Sequence, residues 1–175
     1  MRIGIDLDGP VYPWHEEIYR YFQETKGYSK DLKEFWLKDR HLVTPYYVSI
    51  PFLYNSTTPR RSVLEYIPKL AELGELYYVT SRHPDLWKVT KKFFDFYDLP
   101  FKENILFDEN KANSVRLYRI DYFVDDMPHH VDSLKGITNV YLHTCVHNLE
   151  QRDGYNTVAN LKEFYEIIHG KSQSR

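Results

Sequence analysis

Two carboxylates stand two residues apart in Asp6-Leu7-Asp8-Gly9, directly after an apolar run. Residues i and i+2 of a strand point to the same side, so at the strand's end Asp6 and Asp8 can be directed to one place. Two carboxylates brought together repel unless a proton or a cation separates them, and a hard dication such as Mg²⁺ prefers oxygen ligands. A solvated turn is the plain alternative, and an EF-hand-like calcium loop is another. The twelfth residue counted from Asp6 is Glu17, as such a loop needs, but residues 10–13 supply no ligand side chain.

Three more polar clusters matter. Thr80-Ser81-Arg82 offers two hydroxyls and a loop able to donate hydrogen bonds to an anion, Lys111 follows Asp108-Glu109-Asn110, and Asp125-Asp126 closes another apolar run. Each has an ordinary reading as a helix cap, a solvated lysine or a turn. Their order and their placement after apolar runs favour a shared site. The histidines are less telling. His129-His130 lacks a helix-borne HxxxH spacing, His143 and His147 begin at a strand end, and Cys145 has no Cys-x5-Arg phosphate loop around it.

For the clusters to meet, strands must deliver them to one edge. Residues 2–7, 76–80, 122–125 and 139–142 read as buried strands, with a weaker one at 104–107. Between them run helical stripes: Val63, Leu64, Ile67, Leu70 and Ala71; Leu86, Val89, Phe93, Phe94 and Tyr97; and Val158, Leu161, Phe164, Tyr165 and Ile168. Strands alternating with helices predict a three-layer α/β fold with a parallel sheet, and ligand crevices in such sheets lie outside the carboxyl ends of the strands. Residues 11–58 interrupt the alternation, with helices predicted at 14–26 and 30–40 and then a segment punctuated by Pro45, Pro51 and Pro59. We read 1–10 and 59–170 as an α/β core, 11–58 as a small helical cap inserted after the first strand, and 171–175 as a polar tail.

Composition bounds the function. A single cysteine among 175 residues makes no intramolecular disulfide, and 23 basic against 25 acidic side chains leave a formal charge of −2. That balance carries no broad footprint for polymeric nucleic acid, although pairs such as Arg60-Arg61 could meet small anions. No apolar run reaches 18 residues, so a soluble, cytoplasmic protein without a membrane span or secretory leader is expected. Of the 29 aromatic residues, 12 fall within residues 11–57, more rings than a small helical pair readily buries. Some should face the cleft, with Trp14, Phe35 and Trp36 the candidates.

Asp6-x-Asp8-Gly9, Thr80-Ser81, Lys111 and Asp125-Asp126, in this order and with an insertion after the first motif, resemble the four motifs of the haloacid dehalogenase superfamily of phosphotransferases. The resemblance implies a Rossmann-like core with strand order 3-2-1-4-5. It also implies a Mg²⁺-dependent phosphatase in which Asp6 is the nucleophile and Asp8 the general acid and then base. Thr80, Ser81 and Lys111 would hold the phosphate. The metal would be held by Asp6, the Asp8 backbone carbonyl and Asp126 directly, with Asp125 as its outer partner. Within the superfamily, Trp14, Phe35-Trp36-Leu37 and the segment from Leu142 to Asn148 are similar to stretches of the 5'(3')-deoxyribonucleotidases, which implies a nucleoside monophosphate substrate. A homodimer occurs among similar enzymes. Pro10 and Arg82 depart from that family's Val and Pro, and the insertion is shorter. Arg82 could reach a second phosphate or a carboxylate, or lie on the surface. Two other readings stay open: a phosphatase for another small ester or a nucleic-acid 3'-phosphate end, and a catalytically silent ligand-binding module.

Overall fold

The apolar run that opens the chain is flanked on both sides by others of its kind, and that arrangement decides the architecture. The computed structural model describes residues 1–46, 53–54 and 57–173. Strands β1 (Arg2–Ile5), β2 (Glu75–Thr80), β3 (Ile105–Phe107), β4 (Tyr122–Asp125), β5 (Asn139–His143) and β6 (Thr157–Val158) form one sheet in the order 3-2-1-4-5-6. Every pairing is parallel, with Ile3 opposite both Leu76 and Tyr122. The predicted order is present, extended at one edge by β6, which is too short to carry a pattern of its own.

Both faces of the sheet are covered. Ile3, Ile5, Tyr78 and Val124 enter the larger core with α3 (Arg61–Leu73), α4 (Trp87–Phe96) and α7 (Leu161–Gln173). Tyr77, Val79, Phe123 and Leu142 enter the smaller one with α5 (Lys111–Leu117) and α6 (Pro128–Leu134). Alternate residues of one strand thus serve opposite layers, the reason these strands read as nearly continuous apolar runs. Gly4 is required where it stands, because a Cβ there would lie 2.2 Å from the Phe123 ring. On α3 the buried stripe is Val63, Ile67 and Leu70, while Leu64, expected to share it, is 42% exposed. A 3.6-residue period places position 64 about a quarter-turn away from 63, at the stripe's margin.

After β1 the chain forms α1 (Trp14–Lys26), ended by Gly27 in the left-handed region, and a short α2 (Leu32–Glu34) capped by the Asp31 side chain. The helix predicted over residues 30–40 is not one regular α-helix. It widens into a π-helical turn over Phe35–Asp39 and tightens into a 3₁₀ stretch over Arg40–Tyr46. The change of pitch turns Phe35 and Trp36 inward together. Pro51, one of the three punctuating prolines, lies outside the described residues.

Candidate active site

All four polar clusters arrive at one edge because parallel strands end there together. Asp6 continues β1 through a hydrogen bond from its N–H to the Val124 carbonyl, Thr80 and Asp125 end β2 and β4, and Lys111 opens α5. Asp108 sets that last position. Its carboxylate accepts from the Asn110 and Ser114 N–H groups and from the Ser114 hydroxyl, capping α5 so that its first side chain turns inward. Sequence reasoning gave Asp108 no role, although an acidic residue just before a helix is the signal for one.

Lys111 is buried and bridges two carboxylates, its Nζ lying 2.7 Å from Asp6 Oδ1 and 2.6 Å from Asp125 Oδ2. Burial alone would lower its pKa, but Asp125 and Asp6 raise it above the ordinary lysine value, so it stays charged. Asp125 is fully used: Oδ2 accepts from Lys111, and Oδ1 accepts from the Met127 N–H with His130 Nδ1 3.3 Å away. Against its burial, Lys111 and His130 hold its carboxyl below the usual range. Asp126 is its opposite. It is 1% exposed, and its Oδ2 has no well-formed hydrogen bond among the described residues, so burial pushes its pKa up. Burial also raises that of Asp6, against the pull of Lys111.

Ligand atoms of Asp6, Asp125 and Asp126 lie within 4.8 Å of one another. Three buried carboxylates facing one ammonium leave negative charge uncompensated, and an all-oxygen set with an unpartnered oxygen suits a hard dication. Gly9, at φ +100°, lets the turn after β1 close on this cluster, since a Cβ there would meet Asp126 Oδ2 at 2.4 Å.

Asp8 points elsewhere. Both of its oxygens accept from the Arg82 fork, Nε at 2.8 Å and Nη2 at 2.6 Å, and Nη1 donates to the Thr90 hydroxyl. The guanidinium lies between the Tyr12 and Tyr54 rings, 3.9 and 4.4 Å from their centroids. Arg82 is therefore not a surface residue: of the roles open to it, it takes the carboxylate. A bidentate fork and two ring faces compensate a buried guanidinium, and neither is visible from Thr-Ser-Arg alone. Arg60, a candidate anion contact, instead donates to the Gly9 carbonyl and pairs with Glu16, bracing the turn.

A cavity of about 460 Å³ opens over these groups, lined by Asp6, Asp8, Thr80, Ser81, Lys111 and Asp126 among others. Of the three rings expected to face a substrate, Trp14 lines it, stacked on Tyr54 at 4.4 Å. Phe35 and Trp36 do not. Phe35 packs among Tyr19, Phe22 and Tyr28, and Trp36 donates its indole N–H to the His15 carbonyl. Burying a ring against rings is the cheaper use of its area, and the inward turn after α2 allows it.

Two histidines enter as well: His15, which drew no reading from the sequence, and His147, whose spacing from His143 carried little weight there. His15 and His147 have ring centroids 4.1 Å apart beside Asp126. Burial, then the neighbouring His147, pulls the pKa of His15 well down, so it is neutral. For His147, burial pulls down but the Asp126 carboxylate prevails and raises it. Burial keeps Cys145 a protonated thiol, unsuited to attack.

No family model matches the chain. A Bacillus cereus protein named "Putative nucleotidase" is 32% identical over 101 residues, 54% of this chain and about half (53%) of that relative's length. An Oceanobacillus iheyensis protein of the same printed description is 26% identical over 186 aligned positions, covering 96% of this chain and 94% of that one. Among solved structures, a HAD family hydrolase from Deinococcus radiodurans with bound phosphate and sodium superposes with a TM-score of 0.67 at 9% identity, covering 98% of this chain and 96% of that one. The fold is that of the haloacid dehalogenase superfamily. Within this haloacid dehalogenase fold, the carboxylate cluster sits outside the carboxyl ends of β1 and β4, where strand order reverses.

Proposed function

We propose that the protein is a Mg²⁺-dependent phosphatase acting on nucleoside monophosphates, with residues 11–58 as a cap on a core formed by 1–10 and 59–170. The observation that carries the phosphatase reading is the meeting of Asp6, Lys111, Asp125 and the unpartnered Asp126 oxygen beneath one cavity. The nucleotide part rests on Trp14 in the cavity wall and on the names of the two relatives.

In this reading Asp6 attacks phosphorus, an Asp6–phosphorus bond forms, and the bond to the ester oxygen breaks. That oxygen takes a proton from the Asp8 carboxyl. Asp8, now a carboxylate, takes a proton from water, whose oxygen attacks the aspartyl phosphate and releases inorganic phosphate and Asp6. Thr80 and Ser81 hold phosphate oxygens and Lys111 offsets their charge. Asp6, Asp126 and the Asp8 carbonyl would hold Mg²⁺. Asp125, with both oxygens already engaged, suits the outer position. Bound there, the dication supplies positive charge against the phosphate dianion. In the geometry described, both Asp8 oxygens accept from Arg82, so a proton adds at a lone pair that the fork leaves free.

The test is turnover of nucleoside 5'- and 3'-monophosphates and sugar phosphates, with Mg²⁺ and with EDTA. Metal-dependent release of phosphate from a nucleotide, abolished in Asp6→Asn, is the expected result. Preference for sugar phosphates or for oligonucleotide 3' ends overturns the substrate assignment. No turnover of any phosphate ester overturns the phosphatase reading.

A further inference from the structure

Asp126 is shared by two groups of ligand-type atoms, and only one of them is the carboxylate cluster. In the other, Asp126 Oδ2 lies 3.2 Å from His147 Nε2 and 3.5 Å from His15 Nδ1. With metal–nitrogen and metal–oxygen bonds of roughly 2.0–2.1 Å, a tetrahedral centre puts its ligand atoms about 3.3 Å apart. The two separations fit the edges of such a tetrahedron.

Two of the three ligand atoms are uncommitted outside the cluster, while His147 Nε2 also faces the Asp126 carbonyl at 3.2 Å, a contact it would exchange for the cation. His15 is 8% exposed and Asp126 1%, yet neither His15 Nδ1 nor Asp126 Oδ2 has a hydrogen-bond partner among the described residues. A hydrogen-bonded cluster would leave fewer such atoms, since buried polar groups are nearly always paired. Both imidazoles are held from behind. His15 carries Trp36 on its carbonyl and against its ring at 4.6 Å. His147 sits in a 3₁₀ turn pinned by Asn148, whose side-chain amide donates to the Asp126 and His143 carbonyls. Ligands fixed in this way lose little freedom on binding a cation. His15 and Asp126 both line the cavity, which provides an entry path and an open coordination position.

We propose that His15, His147 and Asp126 form a second metal site, selective for a borderline dication of the Zn²⁺ class. Two imidazoles and one carboxylate suit such a cation, whereas the oxygen-only cluster of Asp6, Asp125 and Asp126 suits Mg²⁺. Both sets draw on Asp126 Oδ2, so with both cations bound the carboxylate's second oxygen would take one of them.

The full-length chain, stripped with EDTA, is titrated with Zn²⁺ in a large excess of Mg²⁺, and separately with Co²⁺ while its visible spectrum is recorded. The expected result is one Zn²⁺ bound per chain despite the Mg²⁺, and a Co²⁺ band of tetrahedral intensity. His15→Ala and His147→Ala should each weaken Zn²⁺ binding by about 100-fold or more and abolish the band. His147→Gln, closer in size, repeats the test where circular dichroism shows an alanine variant misfolded. Asp6→Asn separates this site from the phosphatase reading, because it should lose turnover and keep Zn²⁺. Zn²⁺ displaced by Mg²⁺, or equal Zn²⁺ affinity and Co²⁺ spectra in correctly folded histidine variants, overturns the proposal.

Discussion

At the floor of the cavity, Asp6, Thr80 and Asp126 are placed by strands β1, β2 and β4, each paired on both sides. In the segment after β1, Trp14, Phe35 and Trp36 are placed by helical turns outside the sheet, held by ring packing and isolated bonds such as that from Trp36 to the His15 carbonyl. A strand's register passes down the sheet, so a residue just beyond one strand end is located relative to residues beyond the others. A ring on a short helix has no such constraint and settles where it buries most area. The difference separates residues that chemistry can rely on from residues that fold stability has claimed. It also orders the consequences of changing them.

The largest effect should come from the floor. Lys111→Met removes the ammonium that bridges Asp6 and Asp125 and leaves two buried carboxylates facing each other. Losing one preorganised electrostatic contact of this kind lowers kcat by roughly 100- to 1,000-fold. Steady-state phosphate release from the nucleotide that the panel identifies measures it. A variant with near-native turnover would show that the floor is a structural ion cluster.

The two rings of the helical segment should then separate from each other. Phe35→Ala leaves a void in a closed aromatic cluster and costs about 3–5 kcal/mol of stability in urea unfolding, with KM little changed in the protein that folds. Trp14→Ala, at the cavity wall, should raise KM, because ring stacking on a base is worth about 1–3 kcal/mol. If the two variants behave alike, the wall has no part in substrate binding.

The contrast also explains what was legible beforehand. The strands and their ends were readable, because buried parallel strands leave continuous apolar runs that stop at polar clusters such as Asp6-Leu7-Asp8-Gly9 and Asp125-Asp126, while their order followed only from the resemblance of the motifs. Arg82 was not, because its role depends on Asp8, 74 positions earlier in the chain, and on two tyrosine rings from other turns. The same holds for His15 and His147, which no local spacing connects. Phe35 and Trp36 were located on a helical turn, but their direction depends on a π-helical widening that no residue pattern announces.

Arg82 tests whether a residue can belong to both regions, since it ends the floor's Thr80-Ser81 loop yet lies between Tyr12 and Tyr54. Arg82→Lys keeps the charge and loses the fork, so Asp8 is no longer held at two points. A fall in kcat of about 10- to 100-fold with KM nearly constant is expected for loss of such positioning. An equal loss of stability in Arg82→Lys and Arg82→Gln with unchanged kcat would place Arg82 wholly with the packing.

His143 ends β5 on the same edge as Asp6, yet it lies outside the cavity lining, with its Nδ1 3.0 Å from Cys145 Sγ. Strand placement alone therefore does not recruit a residue to the floor, and its signature should be in stability. Burial, then the charges of Arg60 and His147, hold its imidazole down at about 3. An unfolded histidine titrates near about 6.5, so between these values the unfolded chain takes up a proton that the folded chain refuses. Stability should fall as the pH drops through that window. For one such histidine the loss between pH 7 and pH 5 is about 2 kcal/mol. His143→Asn should remove about that much of the difference between urea unfolding free energies measured at the two pH values. An unchanged difference would mean that the folded chain admits the proton at this strand end, and that β5 is more open there than its neighbours on the floor.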